Sequence, residues 1–108
     1  MSVFEERERA FENKFVHDAD LAFRAQARSN KMLGLWAAEL LGKQGEIAQA
    51  YADAMVVEDI QTSNQEAVVS RVRNDLRGKA TSGQIMSKIA ELRLIAHEQL
   101  MSGHSLPS

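Results

Sequence analysis

The residues that could do chemistry come first. His97-Glu98 opens like the His-Glu-x-x-His zinc-protease signature, in which two histidines four apart on one helix face hold the metal. The position owed to the second histidine is Met101, so the ligand set fails. Gly78-Lys79-Ala80-Thr81 has the look of the end of a phosphate-binding loop, but the glycine needed five positions earlier is Arg73 and no strand precedes it. A helix C-cap followed by an N-cap explains those four residues instead. His17, Asp18 and Asp20 could offer oxygen and nitrogen to a metal. Caps and solvated charge are the plainer reading, and no metal site is expected. Glu5, Glu6, Glu8 and Glu12 lie in a charged stretch with nothing to desolvate one of them and raise its pKa, so they read as a solvated face, not an acid/base pair. No serine or histidine is set in a nucleophile elbow. An enzyme is not expected, and neither is a cofactor.

After Glu66, Arg71, Arg73, Arg77, Lys79, Lys88 and Arg93 outnumber Asp75, Glu91 and Glu98. Arg71, Arg73 and Arg77 could therefore touch a phosphate-bearing ligand, an adenine nucleotide included, or an acidic partner surface. A solvated face with snorkelling stems is the plainer account.

The stretch with most to offer is the first. Phe4, Phe11 and Phe15 are three of the four phenylalanines. At about 100° per residue they fall within one narrow arc of a helix. Arg7 and Lys14 flank that arc on one side, Glu8 and Glu12 on the other. Ser2 with Glu5 fits a capping box at its start. Two readings stay open for the aromatic edge. It either orders in the groove of a partner or folds back as ordinary core.

Composition bounds the rest. A chain of 108 residues, 44% hydrophobic and 26% charged, is one soluble globular domain in size and make-up. A net charge of −2 and a pI of about 5.9 argue against general nucleic-acid binding. The absence of cysteine excludes disulfides and thiolate metal sites. No stretch reaches the roughly 20 apolar residues of a membrane span, and the start lacks the layout of a secretory signal. A cytoplasmic protein without direct membrane insertion is expected.

The apolar spacing predicts an all-α fold. One helix runs over 19–41, with Leu21, Ala25, Met32, Leu33, Trp36, Ala37, Leu40 and Leu41 as its stripe and Gly42 as a left-handed C-cap. Whether it begins at Asp18 or Asp20 as an N-cap, or runs straight from Val3, is open. In the second case its length exceeds what a bundle of this size can cover, and its front end projects. A second helix spans 46–59, with Ile47, Tyr51, Ala54 and Met55 inward. A third spans 64–77, opened by Ser63 and Glu66, with Val68, Val69, Val72 and Leu76 inward. A fourth spans 82–101, opened by Thr81 and Gln84, with Ile85, Ile89, Leu92, Ile95, Ala96 and Leu100 inward. Short connections make the neighbours antiparallel. The expectation is an antiparallel four-helix bundle over 19–102, an N-terminal helical or partly disordered arm over 1–18, and a disordered tail over 103–108.

Three blocks carry a resemblance. They are Arg7-Glu8-Arg9-Ala10-Phe11-Glu12-Asn13-Lys14-Phe15, then Asp18, then Ala27-Arg28-Ser29-Asn30-Lys31-Met32-Leu33-Gly34-Leu35-Trp36-Ala37-Ala38-Glu39. Together they resemble the zeta-type inhibitor subunit of the α-proteobacterial F-type ATP synthase. The likeness spans nearly the whole chain. It departs at Ser29, where a basic residue is common, and more broadly after Gly78. The resemblance implies a four-helix bundle with an inhibitory N-terminal region. That region would enter the interface between a catalytic and a non-catalytic subunit of the rotary head, with the central stalk as a further contact, and block ATP hydrolysis. Carried onto this chain it covers about residues 2–18, with Phe4, Arg7, Glu8, Phe11, Lys14 and Phe15 as contact residues. The protein would then be cytoplasmic and peripheral to the inner membrane through the synthase. Two readings from other classes stand beside it: a small ATP- or ADP-binding regulatory module, and a generic helical adaptor.

Overall fold

The computed structural model describes residues 3–102, and their side chains from Ala19 onward. It is all helical over that range: α1 Val3–Leu40, α2 Gly45–Thr62, α3 Gln65–Asp75 and α4 Ser82–Met101. The sequence-based expectations for 1–2 and for the tail 103–108 lie outside the described residues.

The open question about α1 resolves in favour of one unbroken helix. Asp20 is not an N-cap. It lies inside the helix and pairs through Oδ2 with Arg24 Nε, one turn on, at 3.1 Å. No glycine or proline occurs between Val3 and Leu33, and Ala19, Leu21 and Ala22 are strong helix formers, so nothing local stops propagation. The helix stops at a Schellman turn. Gly42 takes φ 77°, its N–H donates to Glu39 O at 3.0 Å, and Lys43 N–H donates to Ala38 O at 2.9 Å.

α2 pairs antiparallel to α1, since Gln26 meets Asp59 while Lys31, further along α1, meets Asp53. Its start and end both outrun the expected 46–59. Its roll also differs. Ile47, expected inward, is 64% exposed, and the buried face is formed by Ala52 and Met55. The cause is a close approach of backbones. A Cβ placed on Gly34 would lie 2.6 Å from Ala52 Cα, so the two helices touch where both residues are smallest. That contact turns the alanine face of α2 toward α1 and carries Ile47 outward. Leu40, at the end of its stripe, is likewise left partly exposed.

α3 runs antiparallel to α2 and ends at Asp75, two residues before the expected stop. Its cap is also corrected. Ser63 closes α2 in the left-handed conformation, φ 52°, and Asn64 opens α3, its Oδ1 accepting from Glu66 N–H at 2.9 Å. Only two residues separate the helices, so one must end α2 and the other begin α3. Asparagine is at least as good a cap as serine. The capping box at Thr81 and Gln84 forms as expected, with both reciprocal bonds present at 2.9 and 3.1 Å.

The core is one cluster of Leu33, Ala37, Met55, Val68, Val72, Leu76, Ile85, Ile89 and Leu92. Every helix contributes, and these residues are the centres of the apolar stripes. Trp36 packs against this cluster from its edge. Its ring also borders an open groove of about 650 Å³ with Lys79, Thr81 and Lys88.

Two polar arrangements pin the helices in register. Asn30 is 1% exposed, and its Oδ1 accepts from Gln65 Nε2 at 3.1 Å. Gln26 Nε2 donates to Asp59 Oδ2 and to Gln65 Oε1, so this set ties α1, α2 and α3. Ser29, beside it, is buried at 4% exposure. The departure there faces the interior and not a partner. On the other side, Tyr51 Oη donates to Asp75 Oδ2 at 2.5 Å, and Arg71 bridges Glu58 and Asp75 across α2 and α3. Burial first, then the hydrogen bond to Asp75 and its charge, push the Tyr51 phenol well above its ordinary 10.0, against a smaller opposing pull from Arg71. A folded-state pKa raised above the unfolded value gives stability that is complete below about pH 10 and is lost as pH rises past it. Alkaline unfolding titrations should therefore show stability falling above that pH, and Tyr51→Phe should flatten the fall. An unchanged slope in the variant would assign the loss to other groups.

Candidate partner-binding arm

At about 1.5 Å per residue the 38 residues of α1 run to about 57 Å, while the 18 of α2 and the 20 of α4 reach only about 27 and 30 Å. The molecule measures 63 × 26 × 23 Å, and its radius of gyration of 17.1 Å exceeds the roughly 13 Å of a compact domain this size. The companions run out at a definable point on α1. Asp59 sits level with Gln26, and α2 ends three residues later, so it stops level with about Phe23. His97 of α4 lines a small groove with Ala22, Ala25 and Gln26, and α4 ends one turn later. Neither α2 nor α4 therefore has the length to follow α1 much beyond residue 20.

Within the bundle, α1 buries two adjoining strips: Ser29, Leu33 and Ala37 on one, continuous with Ala22, Ala25 and Gln26 beside α4, and Asn30, Gly34 and Ala38 about 100° round, where Gly34 meets Ala52 of α2. Because the helix is unbroken, the first strip, on the α4 side, can be followed toward the N-terminus at about 100° per residue. Positions 15, 11 and 4 fall on it, within about 40° of one another. The aromatic positions of the first stretch are thus in register with the core stripe. The side chains of the sequence-based contact residues Phe4, Arg7, Glu8, Phe11, Lys14 and Phe15 lie outside the described residues. The structure gives their helical register and nothing more. The fourth phenylalanine, Phe23, is 59% exposed and turned some 80–120° away from that arc.

The three arginines singled out, Arg71 and Arg73 on α3 and Arg77 just past its end, do not converge. Arg71 is engaged by Glu58 and Asp75 and lies 5.8 Å from the centroid of the Tyr51 ring. Arg77, in the turn just past α3, donates to the side chain of Asn74 at 3.4 Å. Arg73 faces the opposite side from Arg71, toward α4, where it lines a groove with Arg93. The sequence reading counted Arg93 among the basic residues but did not join it to Arg73, because the pairing depends on how α3 and α4 sit together. Gly34 was missed for the same reason. Among the described residues, no group of three His, Cys, Asp or Glu is placed to hold a metal, and no helix is long and apolar enough to cross a membrane.

These features define a small antiparallel helical bundle whose leading helix outreaches its companions. The chain belongs to the ATPase inhibitor subunit zeta family, whose model matches residues 1–99. No match is found among the curated proteins. Membership makes the chain an inhibitory, regulatory subunit of the F-type ATP synthase.

Proposed function

We propose that residues 3–18, the forward half of α1, are the inhibitory element, and that they act as a wedge between a catalytic and a non-catalytic subunit of the synthase head. One observation carries this reading. The face that α1 buries inside the bundle continues in register into Phe15, Phe11 and Phe4, over a length that α2 and α4 are too short to cover. An apolar helical edge of that kind meets its complement in a groove on another protein.

A wedge stops a rotary engine only if it binds one rotational state better than the others. Tight but equal binding to every state would stop nothing. Burying a phenylalanine contributes about 1.5–3 kcal/mol of gross stabilisation, so three supply enough to arrest one state. α1 is one continuous rod anchored in the bundle, which lowers the ordering cost that a disordered arm would bear. Arg7, Lys14, Glu8 and Glu12 steer approach and set register. Hydrolysis is blocked in preference to synthesis if rotation one way tightens the crevice onto the wedge and rotation the other way opens it. Contact with the central stalk, and a cytoplasmic site at the inner membrane, belong to the same reading.

The test is a titration of purified synthase head with single variants. Phe11→Ala should weaken inhibition about 10- to 100-fold, from the loss of one buried aromatic. Arg9→Ala should weaken it about fivefold or less, the usual range for an exposed charge. The reverse order would show that charge and not the aromatic edge holds the arm.

A further inference from the structure

The groove between α3 and α4 has no part in the arm mechanism, and its chemistry is specific. On α3, Glu66 is three and four residues before Val69 and Ser70, and Arg73 is four and three residues after them, so the four share one face. Met86 and Arg93, two turns apart on α4, face them. The cleft they border holds about 390 Å³. Val69 and Met86 supply apolar surface, and Met86 is 47% exposed. The guanidinium groups of Arg73 and Arg93 have no carboxylate partner among the described residues. Arg71, one position before Val72, has two.

We infer that this groove is a second docking surface, and that its occupant is an acidic, apolar-edged segment of the ATPase. The inference rests on the inhibitor reading above for the identity of the partner. A guanidinium presents a planar fork that matches a carboxylate with two parallel hydrogen bonds. Two such forks beside one apolar floor fit a segment that places carboxylates above an aliphatic or aromatic side chain. The flexible thioether of Met86 can mould to that side chain. A small free carboxylate would satisfy the arginines and leave the floor bare, so a protein segment is the better fit. Glu66 lies two turns, about 10 Å, from Arg73 along α3. Arg93 also borders Gln26, which bonds Gln65, so it stands toward the Glu66 end, and the end of the groove formed by Arg73 and Met86 is the one without a carboxylate. The occupant's principal acidic group therefore sits at the Arg73 end. Two anchors on one rigid body act as a bivalent ligand: the bundle holds the chain on the ATPase while the arm samples its crevice.

The experiment uses the full chain and purified F-type ATPase head, with affinity and depth of inhibition measured separately. Arg73→Glu with Arg93→Glu should weaken binding by about tenfold or more while saturating protein still inhibits fully. Lys43→Glu with Lys79→Glu carries the same net charge with the groove intact, and should bind as the unmodified chain does. Arg73→Gln with Arg93→Gln should fall between and show a shallower dependence on salt than the unmodified chain. All three keep the fold by far-UV circular dichroism, because the exchanged side chains lie outside the core. Equal affinities for the two reversed pairs would overturn the groove, as would a head preparation that binds none of the proteins. Loss of the arm with inhibition retained would instead overturn the arm reading and leave the groove standing.

Discussion

Removing residues 1–17 should leave a folded bundle that no longer inhibits ATP hydrolysis. The remaining part of α1 keeps the core residues it contributes among those described, Leu33, Ala37 and Ala38, together with the Asp20–Arg24 pair and the polar ties through Gln26 and Asn30. The melting temperature should therefore stay within a few degrees, since about 1 kcal/mol is needed to move it by some 4–8 °C. The inhibitory concentration should rise at least a hundredfold, because the truncated chain loses three buried phenylalanines at about 1.5–3 kcal/mol each. Circular dichroism, calorimetry and a hydrolysis assay on one preparation separate the two effects. A truncated chain that still inhibits at the original concentration would move the inhibitory element into the bundle.

Gly34→Leu has the opposite profile. It should damage the bundle and leave the arm's own residues untouched. A Cβ at this position meets Ala52 Cα at 2.6 Å and Met55 Cγ at 3.1 Å. The first neighbour is backbone and cannot swing aside, so α1 and α2 must part. Overpacking of this kind costs about 1–3 kcal/mol and sometimes more. The gain in helix propensity on replacing glycine, about 1 kcal/mol, offsets only part of it. Gly34→Ala should show a smaller loss of the same sign. Chemical denaturation would register both, and a leucine variant as stable as the parent would mean that the helices do not approach so closely. Separation of α1 from α2 should also break the Gln26–Asp59 and Lys31–Asp53 pairs, so Gly34→Leu should weaken inhibition indirectly through a less rigid arm.

Much of this was legible in the sequence because the signals are local. Leu33, Val68, Val72, Ile85, Ile89 and Leu92 recur at helical spacing, and all are core. The Thr81–Gln84 capping box needs only four consecutive residues to form, and it forms. What could not be read depends on neighbours far along the chain. The roll of α2, which exposes Ile47, follows from Gly34 meeting Ala52 eighteen positions away. The cap of α3 passed from Ser63 to Asn64 because the end of α2 claimed the serine. Asp20 looked like a cap, but its carboxylate had a better partner one turn ahead in Arg24. Arg73 and Arg93 stand twenty residues apart, and only the packing of α4 beside α3 makes one groove of them. For the arm, sequence supplied the residue types. The structure added that their helix is continuous with α1 and in phase with its buried face.

The most direct measurement places a photo-crosslinking phenylalanine at position 11 of the full chain and irradiates it with purified synthase head during ATP hydrolysis. Adducts to both a catalytic and a non-catalytic subunit are predicted, forming while the enzyme turns over and much less in resting head. The same probe at position 47, on the outer face of α2, should give neither. Adducts that form equally at rest and in turnover, or equally from both positions, would contradict a wedge that closes on one rotational state.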